Sequence, residues 1–156
     1  MATQATARNF FASPAFAVVG ASSNPAKFGH KGKRSSGSGL FAPSPPLTLS
    51  RGARMVTVRG VDYATVSSLS ALPSPRQTAV SIITPPAVTR TVLDEARKLG
   101  VPAVWMQPGS FDDAVLDFVL ADGAFETVVY GSGGRGEEGW CVLVDGDKAL
   151  KDAGKL

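Results

Sequence analysis

A strand–helix–strand pattern between residues 80 and 106 constrains the fold of this sequence more than any other feature. Val80–Thr84 (VSIIT) and Val101–Met106 (VPAVWM) are short apolar runs, typical of strands that are buried on both faces of a parallel sheet. Between them, Pro86 can open a helix that Gly100 closes. Because both connections are short, the pattern predicts a right-handed parallel crossover. Four residues at helical spacing are predicted to form the buried face of that helix: Val88, Val92, Ala96 and Leu99.

The rest of the chain repeats this alternation. Phe16–Gly20 is predicted as an earlier apolar strand, Phe125–Tyr130 as a fourth strand and Trp140–Val144 as a fifth. Ser110, followed by an acid three residues later, is predicted to cap a further helix, and Asp147–Gly154 is predicted as a short closing helix. Alternating strands and helices predict an α/β, doubly wound fold with a mostly parallel sheet of about five strands, and the whole chain is predicted to form a single domain.

One segment departs from the pattern. Gly32–Gly52 contains twelve Gly, Ser or Pro residues among its 21 and shows no helical periodicity, so it is predicted to be a flexible loop at 32–52. Arg54–Gly60 (RMVTVRG) is left as a candidate second strand. We therefore expect fast amide exchange in the loop and protection in the core strands.

Composition excludes several classes of function. His30 is the only histidine and Cys141 the only cysteine, which excludes a disulfide framework and a metal site with two histidines. Neither paired carboxylates on facing loops nor a base other than His30 is evident, so we expect no catalytic residues and a protein that is not itself an enzyme. No apolar window is long enough to span a bilayer, and we expect no membrane partner.

The N-terminal region bears on location. Residues 1–16 lack acids and contain one arginine, a composition found in transit peptides. The first predicted strand begins near Phe16, however, so cleavage of a presequence would cut into the fold. A cytoplasmic protein is the better prediction.

Charge is distributed unevenly along the chain. Residues 1–61 carry eight Lys or Arg and no acids, whereas residues 62–156 carry eight Lys or Arg and all thirteen acids. A basic N-terminal part suits a phosphorylated ligand, although solvated surface charge explains it equally well. Nucleic acid is not predicted as a partner, because the basic residues are scattered and no aromatic stacking pattern accompanies them.

The loop after the first strand has little side-chain bulk. Gly20 ends the strand, small residues follow it, and Gly29 stands where a helix can begin. Exposed backbone N–H groups beside a helix start are suited to a pyrophosphate. The two glycines are nine residues apart and do not form the three-glycine dinucleotide fingerprint, so an ordinary turn remains an alternative.

The candidate second strand, Arg54–Gly60, bears on which nucleotide the protein binds. Binding of NAD requires an acid at the end of the second strand to hold a ribose hydroxyl. Arg59 occupies the corresponding position in the candidate strand, and the nearest acid is Asp62. This arrangement disfavours NAD and suits a ligand with a phosphorylated ribose, either coenzyme A or NADP.

The sequence resembles the CoA-binding domain family, small Rossmann-like proteins similar to the CoA-binding domain of the succinyl-CoA synthetase α subunit. Three stretches carry the resemblance: FAVVGASSNPAKFGHK, LSALPSPRQTAVSIITPPAVTRTVLDEARKLGVPAVWMQPGSFDD and, more loosely, GWCVLVD. They cover about two-thirds of the chain. The resemblance implies a small cytosolic protein that binds coenzyme A or acyl-CoA as a nucleotide-type ligand.

The resemblance also implies a set of cofactor-binding residues. The phosphate loop would consist of Gly20, Ala21, Ser22, Ser23, Pro25, Phe28 and Gly29. Thr84, Pro85 and Pro86 would flank the nucleotide, and Gln107, Pro108 and Gly109 would close the next part of the groove. The last two sets directly follow predicted parallel strands, which is where ligands bind in open α/β sheets.

Residues 32–62 lack the helix and the strand that the family pattern places after the first loop. Two alternatives therefore stay open beside a CoA-binding protein: an NADP-dependent oxidoreductase or redox sensor on the same fold, and a non-binding remnant of the family. A homodimer also stays open.

Overall fold

The structure, a computed structural model, describes residues 3–20, 47–49, 55–58, 61–121, 123–131, 149 and 151–154. Its helices are α1 (Gln4–Ala12), α2 (Pro86–Leu99) and α3 (Asp113–Val119), and two short 3₁₀ turns span Leu69–Ala71 and Pro75–Gln77. Its strands are β1 (Ala15–Val19), β2 (Leu47–Leu49), β3 (Met55–Val58), β4 (Val61–Val66), β5 (Thr78–Ile82), β6 (Ala103–Met106) and β7 (Thr127–Val129).

These seven strands form one sheet in the order β3-β4-β2-β1-β5-β6-β7. All the pairings are parallel except that of β3 with β4, which is antiparallel. Without the edge strand β3, six parallel strands remain, and their order counted along the chain is 3-2-1-4-5-6. This is the strand order of the doubly wound dinucleotide-binding fold. The predicted α/β, Rossmann-like sheet is confirmed, with seven strands among the described residues where about five were expected.

Side chains of the central strands alternate between two cores. Val80 and Ile82 of β5 and Val104 and Met106 of β6 pack on one side of the sheet, against α2 and α3. Neighbouring residues in the same strands point to the other side, where the core consists of Ala7, Phe10, Phe11, Phe16, Ala79, Ala103, Trp105, Val129 and Ala149. Both faces of the sheet are therefore covered, which explains the nearly continuous apolar runs in the sequence.

Helix α1 covers one of these faces, and the sequence analysis did not predict it. Phe10 and Phe11 pack around the fully buried Trp105, with ring centroids 5.4 and 5.7 Å from the indole. Thr3 and Thr6 form a reciprocal capping box at the start of the helix. The i, i+3, i+4 spacing of Ala7 with the two phenylalanines is the signal that could have revealed it.

Helix α2 covers the opposite face. Its residues Thr89, Leu93 and Ala96 are buried, whereas Val88 is 42% exposed. The predicted apolar face is therefore wrong by about one residue at its start, because the helix packs with Thr89 toward the sheet. The predicted ends are confirmed: Pro86 is the first helical residue, and Gly100 closes the helix in the left-handed conformation at φ 73°.

The segment predicted to lack regular structure contains part of the sheet. Leu47–Leu49 forms β2, which pairs in parallel with β1 and β4, so the prediction is wrong for these three residues. Two leucines around one threonine are too short a signal to mark a strand, and β2 pairs with neighbours on both sides. The predicted mobility of the rest of 32–52, and the predicted strand at 140–144, lie outside the described residues.

The closing helix is confirmed where it is described. Ala149, Lys151 and Asp152 are helical, and the Ala153 N–H donates to the Ala149 carbonyl at 3.0 Å. Ala149 is buried in the core beneath α1, so the two ends of the described chain pack against the same face of the sheet.

Truncation of Phe11 tests the contribution of α1. Its ring is fully buried, so we expect Phe11→Ala to lower the free energy of unfolding by about 3–5 kcal/mol. Asn9→Ala, on the exposed side of the same helix, is the control and should change it by less than about 0.5 kcal/mol. Urea denaturation measures both variants. A loss below about 1 kcal/mol for Phe11→Ala would contradict the packing of α1 on the core.

Candidate ligand-binding site

The site lies where the order of the strands reverses. β1 is followed along the chain by β2 on one side, whereas β5 pairs with β1 on the other side. In doubly wound sheets, the ligand crevice lies at the carboxyl ends of the two strands at which the order reverses, which here are β1 and β5. Gly20 follows β1 at this edge of the sheet, and Ile83 and Thr84 follow β5.

Gly20 is held close to the neighbouring strand. The Ile83 N–H donates to the Val19 carbonyl at 2.9 Å, which extends the pairing with β1 one residue beyond the end of β5. A β-carbon on Gly20 would lie 3.1 Å from the methyl group of Thr84 and 3.2 Å from the Ile83 carbonyl carbon. Gly20 also has φ +91°, a conformation that L-residues rarely adopt. Both conditions require glycine here.

The Thr84-Pro85-Pro86 turn connects β5 to α2. The Val88 and Thr89 N–H groups both donate to the Pro85 carbonyl at 2.9 Å and form the first turn of the helix. Pro86 occupies the first helical position, where its missing N–H costs no hydrogen bond. The N-terminus of α2, the positive end of its dipole, therefore lies at the same edge as Gly20.

Thr89 fixes this turn from inside the protein, and the sequence analysis did not identify it. Its side chain is fully buried, and its hydroxyl donates to the Thr84 carbonyl at 2.9 Å. The same hydroxyl oxygen lies 2.9 Å from the Thr84 hydroxyl oxygen. A threonine on the buried side of a helix, five residues after another threonine, was the only signal in the sequence.

Gln107 supports the next turn from a buried position. Its side-chain amide donates to the Ser81 hydroxyl at 3.1 Å, and its backbone N–H donates to the Ile82 carbonyl at 3.0 Å. Its carbonyl accepts from the N–H and the hydroxyl of Ser110, at 3.0 and 2.7 Å. These bonds connect the carboxyl ends of β5 and β6. The predicted site residue thus holds the edge of the crevice together through a side chain that is shielded from solvent.

Pro108 and Gly109 form the exposed part of this turn. Pro108 is half-buried, and Gly109 is exposed with φ +84° and no heavy atom within 4 Å of a β-carbon position. Proline followed by glycine with positive φ is the sequence that a type II turn requires. A ligand can therefore approach the backbone at Gly109 without meeting a side chain.

The helix that follows begins differently from the prediction. Asp112 is the N-cap of α3, and its carboxylate accepts from the Val115 N–H at 2.9 Å. The prediction of Ser110 as the cap is wrong, because its hydroxyl is engaged by the Gln107 carbonyl. Next to this turn, the rings of Phe111 and Tyr130 meet edge to face at 5.9 Å, so Tyr130, which follows β7, brings an aromatic group to the same edge.

The structure thus brings together six of the predicted site residues: Gly20, Thr84, Pro85, Pro86, Pro108 and Gly109, with Gln107 buried behind them. Six others lie outside the described residues, namely Ala21, Ser22, Ser23, Pro25, Phe28 and Gly29. The same is true of His30, Arg135 and Cys141.

The interpretation of Arg59 as the residue that ends the second parallel strand is wrong. The strand that Arg59 follows, β3, is the antiparallel edge strand, and Val58 at its end pairs with Val61 at the start of β4. The carboxyl end of β3 therefore lies at the edge where the parallel strands begin, opposite the crevice. The strand beside β1 is β2, so an arginine after β3 carries no information on NAD against NADP.

Helix α2 carries five charged residues: Arg90, Asp94, Glu95, Arg97 and Lys98. A hydrogen bond from Lys98 holds the pKa of Asp94 below its usual value, and Arg90 stacks on the ring of Phe118 at 3.5 Å. Within the described ranges, no three His, Cys, Asp or Glu side chains are grouped in a way that could hold a metal ion. None of the helices described is long and apolar enough to cross a membrane.

The strand order, together with a glycine turn at the switch point, defines a sheet of the Rossmann type. A family model described as CoA binding domain matches residues 14–130. The chain belongs to this CoA-binding domain family. The match spans β1 to β7 and includes every described residue of the crevice.

Several solved structures have a similar fold. A conserved hypothetical protein from Pyrococcus furiosus is 26% identical with a TM-score of 0.63, and the match covers 84% of this chain and 97% of that one. A Thermus thermophilus protein is 19% identical with a TM-score of 0.70 over 95% and 99% of the two chains. A hypothetical protein from Pyrococcus horikoshii is also 19% identical, with a TM-score of 0.69 over 96% and 93%. The comparison with curated proteins found no match.

Substitution of Gly20 tests the close approach of β1 to the Thr84 turn. We expect Gly20→Ala to lower the free energy of unfolding by about 2–3 kcal/mol, because it adds a steric conflict to the penalty of positive φ. Gly123→Ala is the matched control, since Gly123 has φ +70° and no atom within 4 Å of its β-carbon position. It should cost only about 1–2 kcal/mol. Equal losses in thermal or urea unfolding would contradict the close contact.

Proposed function

We propose that this chain binds coenzyme A, free or acylated, in the crevice at the carboxyl ends of β1 and β5. The observation that carries the proposal is the contact of Gly20 with the Thr84 turn at the switch point, in a chain of the CoA-binding domain family. The binding residues are those that the sequence analysis assigned: Gly20, Ala21, Ser22, Ser23, Pro25, Phe28, Gly29, Thr84, Pro85, Pro86, Pro108 and Gly109, with Gln107 in a supporting position.

The pyrophosphate is the part of the ligand best suited to this edge. Gly20 presents backbone without a side chain, and α2 directs the positive end of its dipole toward the crevice from Pro86. Gly109 offers a second exposed backbone position on the neighbouring turn. Together these features favour an anionic, extended ligand over a compact neutral one.

Binding rather than catalysis is the activity that we assign. The described polar side chains behind the crevice are engaged in structural bonds: Thr89 with Thr84, Gln107 with Ser81, and Ser110 with the Gln107 carbonyl. A general acid or base needs a group free to exchange a proton with the substrate. A small cytosolic CoA-binding protein is therefore the proposed role, with an acyl-CoA as an equally suitable ligand.

Thermal unfolding with added nucleotides tests the proposal. Coenzyme A should raise the Tm of the wild-type protein, since a ligand at 100 times its Kd stabilises the folded state by about 2.7 kcal/mol. NAD and NADPH are tested in parallel. A shift with NADPH and none with coenzyme A would favour an oxidoreductase or redox sensor, and no shift with any nucleotide would favour a non-binding remnant.

A carboxylate in the crevice should abolish binding. Gly20→Asp places negative charge and bulk where the pyrophosphate approaches, and Gly123→Asp is the control at a positive-φ glycine outside the crevice. If Gly20→Asp does not fold, Gly109→Asp introduces the charge without crowding. We expect isothermal titration with coenzyme A to show binding by the control and a loss of at least about tenfold in the crevice variants. Unchanged affinity in a folded crevice variant would place the ligand elsewhere.

A further inference from the structure

The hydroxyls of Thr84 and Thr89 are hydrogen-bonded to each other at the edge of the proposed crevice. This arrangement determines which kind of hydrogen bond a ligand could form with Thr84. Thr89 Oγ1 lies 2.9 Å from the Thr84 carbonyl oxygen and 2.9 Å from Thr84 Oγ1. A carbonyl oxygen cannot donate, so the bond between Thr89 and that carbonyl uses the single hydroxyl proton of Thr89. The proton between the two hydroxyl oxygens then comes from Thr84.

The position of Thr84 reinforces this assignment. Thr89 is fully buried, and its hydroxyl has no access to water as an alternative partner. The Thr84 methyl group faces Gly20, where it would lie 3.1 Å from an added β-carbon. Thr84 as a residue is only partly buried. With its methyl group against Gly20 and its proton directed to Thr89, the Thr84 hydroxyl oxygen retains only lone pairs for another partner.

We propose that buried Thr89 makes the Thr84 hydroxyl a hydrogen-bond acceptor toward the crevice, so that the ligand group bound at Thr84 is an O–H or N–H donor. This inference rests on the proposed function and assigns a chemistry to one part of that site. Phosphate groups are almost fully ionised at neutral pH, so their oxygens accept hydrogen bonds. They are therefore unsuited to Thr84 and belong nearer Gly20. In coenzyme A, such donors fall into two groups: the ribose 2′-hydroxyl and the adenine amino group of the nucleotide, and the pantoyl hydroxyl and the two amide N–H groups of the pantetheine arm.

Thr89 is in this account a positioning residue, because it acts on the ligand through Thr84. Thr78 provides a matched control on the same strand. It is also buried, and its hydroxyl also donates to a backbone carbonyl, that of Ser74 at 2.8 Å. Thr78 begins β5, at the edge opposite the crevice, so loss of its hydroxyl should affect stability without affecting the ligand.

The test compares the variants by titration with coenzyme A. We expect Thr84→Val and Thr89→Val each to weaken binding about tenfold. Thr84→Val removes the acceptor for the ligand's donor, and Thr89→Val leaves the Thr84 hydroxyl without the partner that orients it. Thr84→Ser and Thr89→Ser, which keep the hydroxyl, should restore affinity to within about threefold of wild type. Thr78→Val should lose stability to a similar extent as Thr89→Val and bind like wild type.

Two fragments of the ligand distinguish the two sources of the donor. If the donor is the ribose hydroxyl, the wild type should prefer adenosine 3′,5′-bisphosphate over its 2′-deoxy analogue, and Thr84→Val should lose that preference. If the donor lies in the pantetheine arm, Thr84→Val should instead weaken binding of 4′-phosphopantetheine and leave both bisphosphates unaffected. If the donor is the adenine amino group, Thr84→Val should weaken both bisphosphates to the same extent. Wild-type affinity of Thr84→Val for all these probes would overturn the inference.

Neutron diffraction of the perdeuterated protein separates this inference from the proposed function. We expect the Thr89 deuteron to point to the Thr84 carbonyl and the Thr84 deuteron to point to Thr89 Oγ1. The opposite orientation of the Thr84 deuteron would overturn the inference even if coenzyme A binds. Absence of coenzyme A binding by the wild type would overturn the proposed function and the ligand assignment with it, whatever the deuterons show.

Discussion

The parallel pairing of β1 with β5 is the constraint on which the rest of the structure depends. It places the carboxyl ends of two strands side by side at the point where the strand order reverses. The extension of this pairing by the Ile83–Val19 hydrogen bond brings Gly20 against the Thr84 turn. A side chain at Gly20 would separate the two strands at their ends, and the crevice would change shape before any ligand contacted it.

Two cores hold this pairing in place. On one face, Phe10, Phe11 and Trp105 make a tightly packed aromatic cluster beneath α1, and on the other, α2 covers the aliphatic side chains of β5 and β6. Most of the buried polar side chains in the described residues lie near the carboxyl edge, namely Ser81, Thr89, Gln107 and Ser110, whereas Ser13 and Thr78 lie elsewhere. Because an unpaired buried hydroxyl or amide is costly, Thr89 and Gln107 fix the turns that they bond. Buried side chains therefore fix the conformation of the turns at the edge of the proposed crevice.

Much of the fold was predictable because its signals are local. The central strands and α2 have continuous apolar runs, an opening Pro86 and a closing Gly100, and each was predicted to within a few residues. Helix α1 was not predicted, although Ala7, Phe10 and Phe11 have the spacing of a buried helical face. β2 was beyond prediction, since Leu47–Leu49 is too short to show a pattern and becomes a strand only between two neighbours. For that reason the sequence pattern indicates Arg54–Gly60 as the second strand, whereas β3 is the antiparallel edge strand. The sequence does not indicate which strands are neighbours in the sheet.

The sequence by itself determined the fold class, the family and the glycine and proline turns of the candidate site, because these depend on residue type and short spacing. Only the tertiary structure decided how those turns meet. The 3.1 Å between a β-carbon on Gly20 and the Thr84 methyl group, the burial of Gln107 against Ser81, and the pairing of the Thr84 and Thr89 hydroxyls join residues that are far apart in sequence or on different elements. Such relations depend on strand order and on which side of a helix packs inward. Hydrophobic periodicity does not give the strand order. It places the buried face of a helix only to within about one residue, as the shift from Val88 to Thr89 shows.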